Sequence, residues 1–68
     1  MSAPAHVVRV RPDGHGGYVA TLWQRVHGTG YYETNVLHRF VREAYAEDRG
    51  RAVLLAAGDV TEHDVEVA

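Results

Sequence analysis

The segment PDGHGG at residues 12–17 limits the fold more than any other part of this sequence, because it separates two runs that alternate as β-strands do. The runs are HVVRVR at 6–11 and YVATLWQRV at 18–26, and both are rich in β-branched residues. Proline fixes φ and ends the first run, while glycine accepts a positive φ without steric cost. The pattern therefore predicts an antiparallel hairpin.

A phosphate-binding loop is the alternative interpretation of these glycines. Such a loop needs the spacing G-x-G-x-x-G between a strand and a helix, where the amides at the helix start face the anion. Here Gly14, Gly16 and Gly17 lie between two strands and have a different spacing. We therefore predict a hairpin loop and no phosphate site.

Alternation assigns the side chains of the hairpin to two faces. The face that we predict to form the core is mostly apolar: Val8, Val10, Tyr18, Ala20, Leu22 and Val26, with Gln24. On the other face we predict four binding residues: Arg9, Arg11, Trp23 and Arg25. Tryptophan and arginine are typical anchors of protein interfaces, and the same pair can stack on a nucleobase and contact phosphates. In the remaining alternative the two faces are inverted and Trp23 belongs to the core.

The segment NVLHRFVREAYAEDRG, residues 35–50, has the apolar spacing of an amphipathic helix. Its apolar residues occur at positions i, i+1, i+4, i+5, i+8 and i+9: Val36, Leu37, Phe40, Val41, Ala44 and Tyr45. Thr34 or Asn35 can cap the start of such a helix, and Gly50 can end it. We therefore predict a helix at about 35–49.

The remaining segments complete a β-β-β-α-β order. A turn at 27–30 and a short third strand at 31–34 precede the predicted helix. A continuous apolar run after it predicts a strand at 52–57. The segment 59–68 fits a frayed edge strand, although its TEHD stretch also has the pattern of a capping box. The expected fold is a small α+β domain: a three-stranded antiparallel meander, one amphipathic helix packed on it, then one or two C-terminal strands.

The size of the chain leaves room for one small core. The sequence has 68 residues and no cysteine, which excludes disulfides and thiolate metal sites. We expect a single domain over 1–68, with frayed ends at 1–5 and 59–68. No run approaches the roughly 20 apolar residues of a membrane span, and the first residues lack the pattern of a secretory leader. We therefore expect a cytoplasmic protein with no membrane partner.

The polar residues give little support for catalysis. The five histidines are scattered, and none is paired at the i,i+4 spacing of a helical zinc site. No motif would activate a hydroxyl nucleophile, and one helix on a small sheet offers hardly any shielded pocket for acid–base chemistry. We predict no enzyme activity, no catalytic residues, no metal ligands and no cofactor.

The turn DGHGGYVATL and the elements after it resemble the HicB-like antitoxin domain. The matching positions are Asp13, Gly16, Gly17, Tyr18 and Val19, and the order of strands and helix is similar over about residues 6 to 57. The chain departs from that family after the second strand, where HGTGYYETNVLHRF replaces a proline-glycine segment and a G-x-T-x-x-E-A-like helix start. The resemblance implies a degenerate double-stranded-RNA-binding-like fold that sequesters a toxin or binds another partner.

Charge is distributed unevenly although the net charge is only −2. The first thirty residues carry three arginines against Asp13 alone, and no basic residue other than histidine follows Arg51 in the acidic tail. Opposite charges at the two ends, a small core and unprotected strand edges predict a homodimer. We predict a non-catalytic regulatory or adaptor domain that binds a protein partner; the alternative is an RNA- or DNA-binding module.

Overall fold

The computed structural model describes residues 4–27 and 36–68. These residues form four strands and one α-helix, in the order β1 (His6–Pro12), β2 (Tyr18–His27), β3 (Val36–Ala46), α1 (Arg49–Ala57) and β4 (Val65–Val67). A single 3₁₀ turn at Glu62–Asp64 precedes β4. The protein is therefore a small α+β molecule in the predicted β-β-β-α-β order.

The four strands form one mixed sheet with the order β3-β2-β1-β4. The hairpin of β1 and β2 is confirmed, and β2 continues into an antiparallel pair with β3. The sheet is not a pure meander, because β4 lies beside β1 and runs parallel to it. A parallel neighbour needs a crossover connection, and α1 provides it.

The side chains that face α1 form the core, as the alternation in the hairpin predicts. The fully buried members are Val8, Ala20, Leu22, Ala52 and Ala56. Ala52 and Ala56 are four residues apart on α1, so both lie on the side of the helix that meets the sheet. Their small side chains let a nine-residue helix approach the strands closely. The predicted assignment of Val8, Ala20 and Leu22 to the core is confirmed, and Val10 and Tyr18 pack partly buried against it.

The helix predicted at 35–49 is wrong, because its described part is the strand β3. The apolar residues that suggested a helical stripe are divided between the two faces of the sheet. Leu37 and Ala44 pair with inward residues of β2, while Phe40 and Tyr45 pair with outward ones. Val41 is the extra residue of an irregularity in the register, so it interrupts the alternation that would have identified a strand.

The strand predicted at 52–57 is also wrong, because these residues belong to α1. The Asp48 carboxylate caps the helix by accepting a hydrogen bond from the Arg51 amide at 3.1 Å. Gly58 ends it with φ of 61°. Gly50 lies in the first turn of α1 and therefore does not end a helix, as the sequence had suggested.

Two other predictions concern segments outside the described residues: the turn at 27–30, apart from its first residue, and the strand at 31–34. The predicted edge strand in 59–68 is present only at Val65–Val67, after the 3₁₀ turn.

Arg42 attaches the end of α1 to the strand β3. Its Nη2 atom donates to the carbonyl oxygen of Ala57 and to Oδ1 of Asp59, each at 3.2 Å. Its guanidinium group also covers Gly58, where an added Cβ would lie 2.7 Å from Cζ. Helix C-termini favour cations because the last carbonyl groups are unpaired and carry partial negative charge. Arg42 therefore holds the C-terminal end of α1 against β3.

Candidate interaction surface

The face of the sheet that α1 does not cover is called the outer face here. Its centre is an apolar row across three strands, in which Val7 pairs with Trp23 and Trp23 pairs with Phe40. Val7 is only 4% exposed, although it lies on the side of the sheet away from the helix. The rings of Trp23 and Phe40 meet edge to face, with centroids 5.5 Å apart and an angle of 76°. The side chain of Phe40 remains 52% exposed.

Polar contacts hold Trp23 in one orientation. Its Nε1 donates to Thr21 Oγ1 at 3.0 Å, and the hydroxyl donates in turn to the carbonyl oxygen of Arg9 at 3.3 Å. The Arg9 guanidinium carbon lies 5.5 Å from the centroid of the Trp23 ring, within the range of a cation–π interaction. Arg9 Nη2 also lies 3.3 Å from Nδ1 of His38. The tryptophan is therefore half-buried and oriented while still on the surface.

The structure places all four predicted binding residues on the outer face, although not in one cluster. Arg9 and Trp23 are in contact, and Arg25 pairs with His38 in the next row across the sheet. Arg25 also forms an ion pair with Glu66 of β4, with Nη2 and Oε2 separated by 3.2 Å. Arg11 lies in a row at the loop end of the hairpin, beside Val19.

Sequence reasoning missed the outer-face residues of β3, because it assigned them to a helix. They are His38, Phe40, Glu43 and Tyr45. The alternation of His38 with Phe40, and of Glu43 with Tyr45, was present in the sequence. The extra residue between the two pairs hid it.

A network at the hairpin loop positions Tyr45 at one end of the outer face. The Asp13 carboxylate accepts hydrogen bonds from the amides of His15 at 2.7 Å and Gly17 at 2.9 Å. These bonds stabilise the ionised form and hold the pKa of Asp13 below its ordinary value, with a smaller contribution from the Tyr45 hydroxyl. The negative charge of Asp13 in turn raises the pKa of Tyr45.

The loop ends on Gly17, whose φ is not positive, so its backbone angles do not require a glycine. The Tyr45 ring does require one. A Cβ added at Gly17 would lie 2.5 Å from Oη of Tyr45 and 2.8 Å from its ring carbons. The ring therefore packs directly on the backbone of the loop. Gly14 and Gly16 are needed for a different reason. Their φ values are 88° and 91°, which glycine adopts readily, and a Cβ at either position would have no atom within 4 Å.

Charges of both signs surround the apolar row. The basic groups of the outer face are Arg9, Arg11, Arg25 and His38, and the acidic ones are Glu43 and Glu66. Glu43 is opposite Thr21, one row from the Trp23–Phe40 pair, and Glu66 neutralises Arg25. The surface thus has an apolar centre and a mixed polar rim.

Neither a metal cluster nor a membrane-spanning helix occurs within 4–27 and 36–68. No group of three or more His, Asp or Glu side chains among these residues could hold a metal ion. No helix among them is long and apolar enough to cross a bilayer.

Comparison of the chain with protein-family models, with curated proteins and with solved structures finds no match. The resemblance to the HicB-like antitoxin domain thus stays a prediction.

Proposed function

We propose that the protein is a non-catalytic regulatory or adaptor domain that binds a protein partner through its outer face. The observation that carries the proposal is the apolar row Val7–Trp23–Phe40, which no helix of the described chain covers and which exposes half of the Phe40 ring. Large apolar side chains that lie together on a surface, with a polar rim around them, are typical of interaction sites.

The anatomy of the outer face fits a protein interface. Interfaces have an apolar centre enriched in aromatic residues and arginine, surrounded by a polar rim that excludes water. Here Trp23 and Phe40 form the centre, and Arg9 borders it with its guanidinium group on the tryptophan ring. Because hydrogen bonds already orient Trp23, little side-chain entropy remains to be lost when a partner binds.

The charges of the outer face favour a protein over a nucleic acid. A groove that follows a phosphate backbone needs a continuous set of free cations. On this face Glu66 pairs with Arg25, and Glu43 lies in the same row as Arg9. The Glu43 and Glu66 carboxylates would repel a phosphate backbone that crosses this face.

The HicB-like resemblance makes the proposal more specific. If the chain is similar to that family in activity as well as in its loop motif, the protein partner is a toxin that the outer face sequesters. The loop motif itself, Asp13 to Val19, includes Asp13, whose carboxylate accepts a hydrogen bond from the Tyr45 hydroxyl, and Gly17, against which the Tyr45 ring lies.

Quantitative affinity capture from a lysate of the native organism tests the proposal. The baits are the unaltered chain, Trp23→Ala and the control Arg39→Ala, which changes an exposed residue whose strand position faces away from the outer face. We expect at least one protein whose retention falls about tenfold or more with Trp23→Ala and is unchanged with Arg39→Ala, because central interface residues contribute about 2 kcal/mol or more. No protein with this pattern would contradict the proposal.

A salt titration with labelled single-stranded RNA tests the alternative. Phosphate contacts make the logarithm of the affinity fall steeply with the logarithm of salt concentration. We expect no binding at physiological ionic strength. Salt-sensitive binding that Trp23→Ala abolishes would instead favour the nucleic-acid module.

A further inference from the structure

A second surface lies at the opposite side of the molecule from β3, where α1 and β4 border an apolar groove of about 290 Å³. Val53, Leu54 and Ala57 line it from the helix, and Val65 and Val67 line it from the strand. Leu54 is 72% exposed, the largest value among the exposed large apolar side chains of the described residues, and Val67 is 47% exposed. This groove is separate from the outer face.

Among the strands of residues 4–27 and 36–68, β4 is also an open edge of the sheet. It pairs on one side with β1, and the Ala68 amide donates to the carbonyl oxygen of Val8 at 2.9 Å. Because successive backbone groups of a strand point to opposite sides, the N–H and C=O of Val67 point away from β1, toward the free edge. Unpaired edge groups of this kind favour addition of another strand.

The other edge of the sheet is less suited to strand addition. The strand β3 carries a register irregularity at Val41 and alternates charged residues such as Arg39 and Glu43 along its length. Bulges and charges are devices that prevent edge pairing. The edge at β4 has no register irregularity, and its one charged side chain, Glu66, is paired with Arg25 of the same chain.

Side chains of opposite charge lie beside the two ends of the groove, and they favour a second copy of this chain as its occupant. At the start of α1, Arg49 and Arg51 lie near Val67 together with Asp48, so that basic groups are in excess there, whereas Glu62 lines the groove with Val65 at the other end. An isologous pair with antiparallel edge strands brings the basic end of one copy toward the acidic end of the other. A parallel arrangement would align like charges.

We propose that a second copy of this chain occupies the groove, with the two β4 strands antiparallel across a two-fold axis and Leu54 of each copy packed against the other. The three residues of β4 supply few hydrogen bonds, so the apolar contact of Leu54 and Val67 carries most of the affinity. The two sheets become one, with both outer faces on the same side and open.

Light scattering and sedimentation equilibrium over a range of protein concentrations test the dimer. The unaltered chain is expected to approach twice its mass of 7.5 kDa. Leu54→Ser is expected to raise the dimer dissociation constant about tenfold or more, because the change removes apolar contact from both copies. The matched control is Leu55→Ser, on the same helix and 47% exposed but outside the groove, and it is expected to leave the constant unchanged.

Val67→Pro tests strand pairing separately, because it removes an amide hydrogen that points to the free edge and none that bonds to β1. Proline is tolerated on edge strands in that orientation, and circular dichroism checks that the variant folds. We expect it to weaken the dimer.

A charge exchange tests the antiparallel arrangement without disturbing the apolar groove. Arg51→Glu and Glu62→Arg should each weaken self-association, and an equimolar mixture of the two should restore it, since each contact then joins opposite charges.

A monomer at high micromolar concentration overturns the proposal. So does a dimer that Leu55→Ser weakens as much as Leu54→Ser, or a dimer that Trp23→Ala dissociates while Val67→Pro leaves it intact. Capture of a partner through Trp23 is measured separately and does not depend on the effects of Leu54→Ser, Val67→Pro or the charge exchange.

Discussion

The two faces of the sheet differ in the size of the side chains that they carry. The covered face meets the helix through Ala52 and Ala56 and buries Leu22 as its largest fully buried side chain. Of the four aromatic residues in the described parts of the chain, three are on the outer face: Trp23, Phe40 and Tyr45. Among the described residues, the largest apolar groups thus lie outside the fully buried core. This difference separates the residues that hold the fold from those available for binding.

The covered face should be the more sensitive to truncation. Leu22→Ala is expected to lower the free energy of unfolding by about 2–5 kcal/mol, because it opens a cavity under the helix that the backbone cannot fill. Denaturant unfolding followed by circular dichroism measures the change. Leu55→Ala, on the exposed side of α1, is the control and should change it by less than about 0.5 kcal/mol. Equal effects would mean that Leu22 is not the centre of the core.

Gly17 tests how far the outer face depends on close packing. Gly17→Ala is expected to cost about 1–3 kcal/mol, because the new methyl group displaces the Tyr45 ring. The same change in a Tyr45→Ala background should cost clearly less, since no ring remains to be displaced. A double-mutant cycle from denaturant unfolding measures this coupling. Additive effects would show that the ring does not pack on the loop.

Trp23→Ala should destabilise the fold less than Leu22→Ala does. The ring loses an edge-to-face contact with Phe40 and a cation–π contact with Arg9, each of the order of 1 kcal/mol. We expect a loss of about 1–2 kcal/mol in the free energy of unfolding. A loss as large as that of Leu22→Ala would place Trp23 among the core residues and would remove the contrast between the two faces.

The smallest effect concerns pH and the loop below Tyr45. The pKa of Asp13 is depressed in the folded state, mainly by the amides of His15 and Gly17. A depressed carboxyl pKa stabilises the fold above the unfolded pKa, and this stabilisation is lost as pH falls through the folded pKa. Asp13→Asn should therefore lower the melting temperature at neutral pH, and its effect should shrink as pH falls below about 3.9, the pKa of an unperturbed Asp. A difference that does not change with pH would exclude the ionised carboxylate as its cause.

The hairpin and its two faces could be predicted from sequence because the evidence is local. Proline and glycine mark the reversal, and strict alternation on both sides assigns each side chain to a face. The faces predicted for Val8, Leu22 and Trp23 are therefore those on which the structure places them. The pairing of β1 with β2 has no register irregularity over all seven residues of β1, so the alternation is not interrupted there.

The second half of the chain could not be predicted in the same way. In β3 the extra residue Val41 shifts the alternation, and the resulting apolar spacing coincides with that of a helix. What decides for a strand is long-range pairing with β2 and the Trp23–Phe40 contact, which no local pattern contains. For α1, the signals of a helix are the Asp48 cap and the alanines at 52 and 56, four residues apart. The continuous apolar run around the alanines conceals their spacing.

The pairing of β4 with β1 joins the two ends of the chain, since His6 is opposite Val65. Contacts of such long sequence separation carry the highest loop-closure entropy, so we expect them to form after the antiparallel pairs β1–β2 and β2–β3, which join consecutive strands. The row of Val7, Trp23 and Phe40 needs only those two pairs. The row can therefore form during synthesis before β4 has paired with β1. It can also persist when β4 detaches transiently from the native sheet. The order of the strands along the chain thus determines which surface is available first.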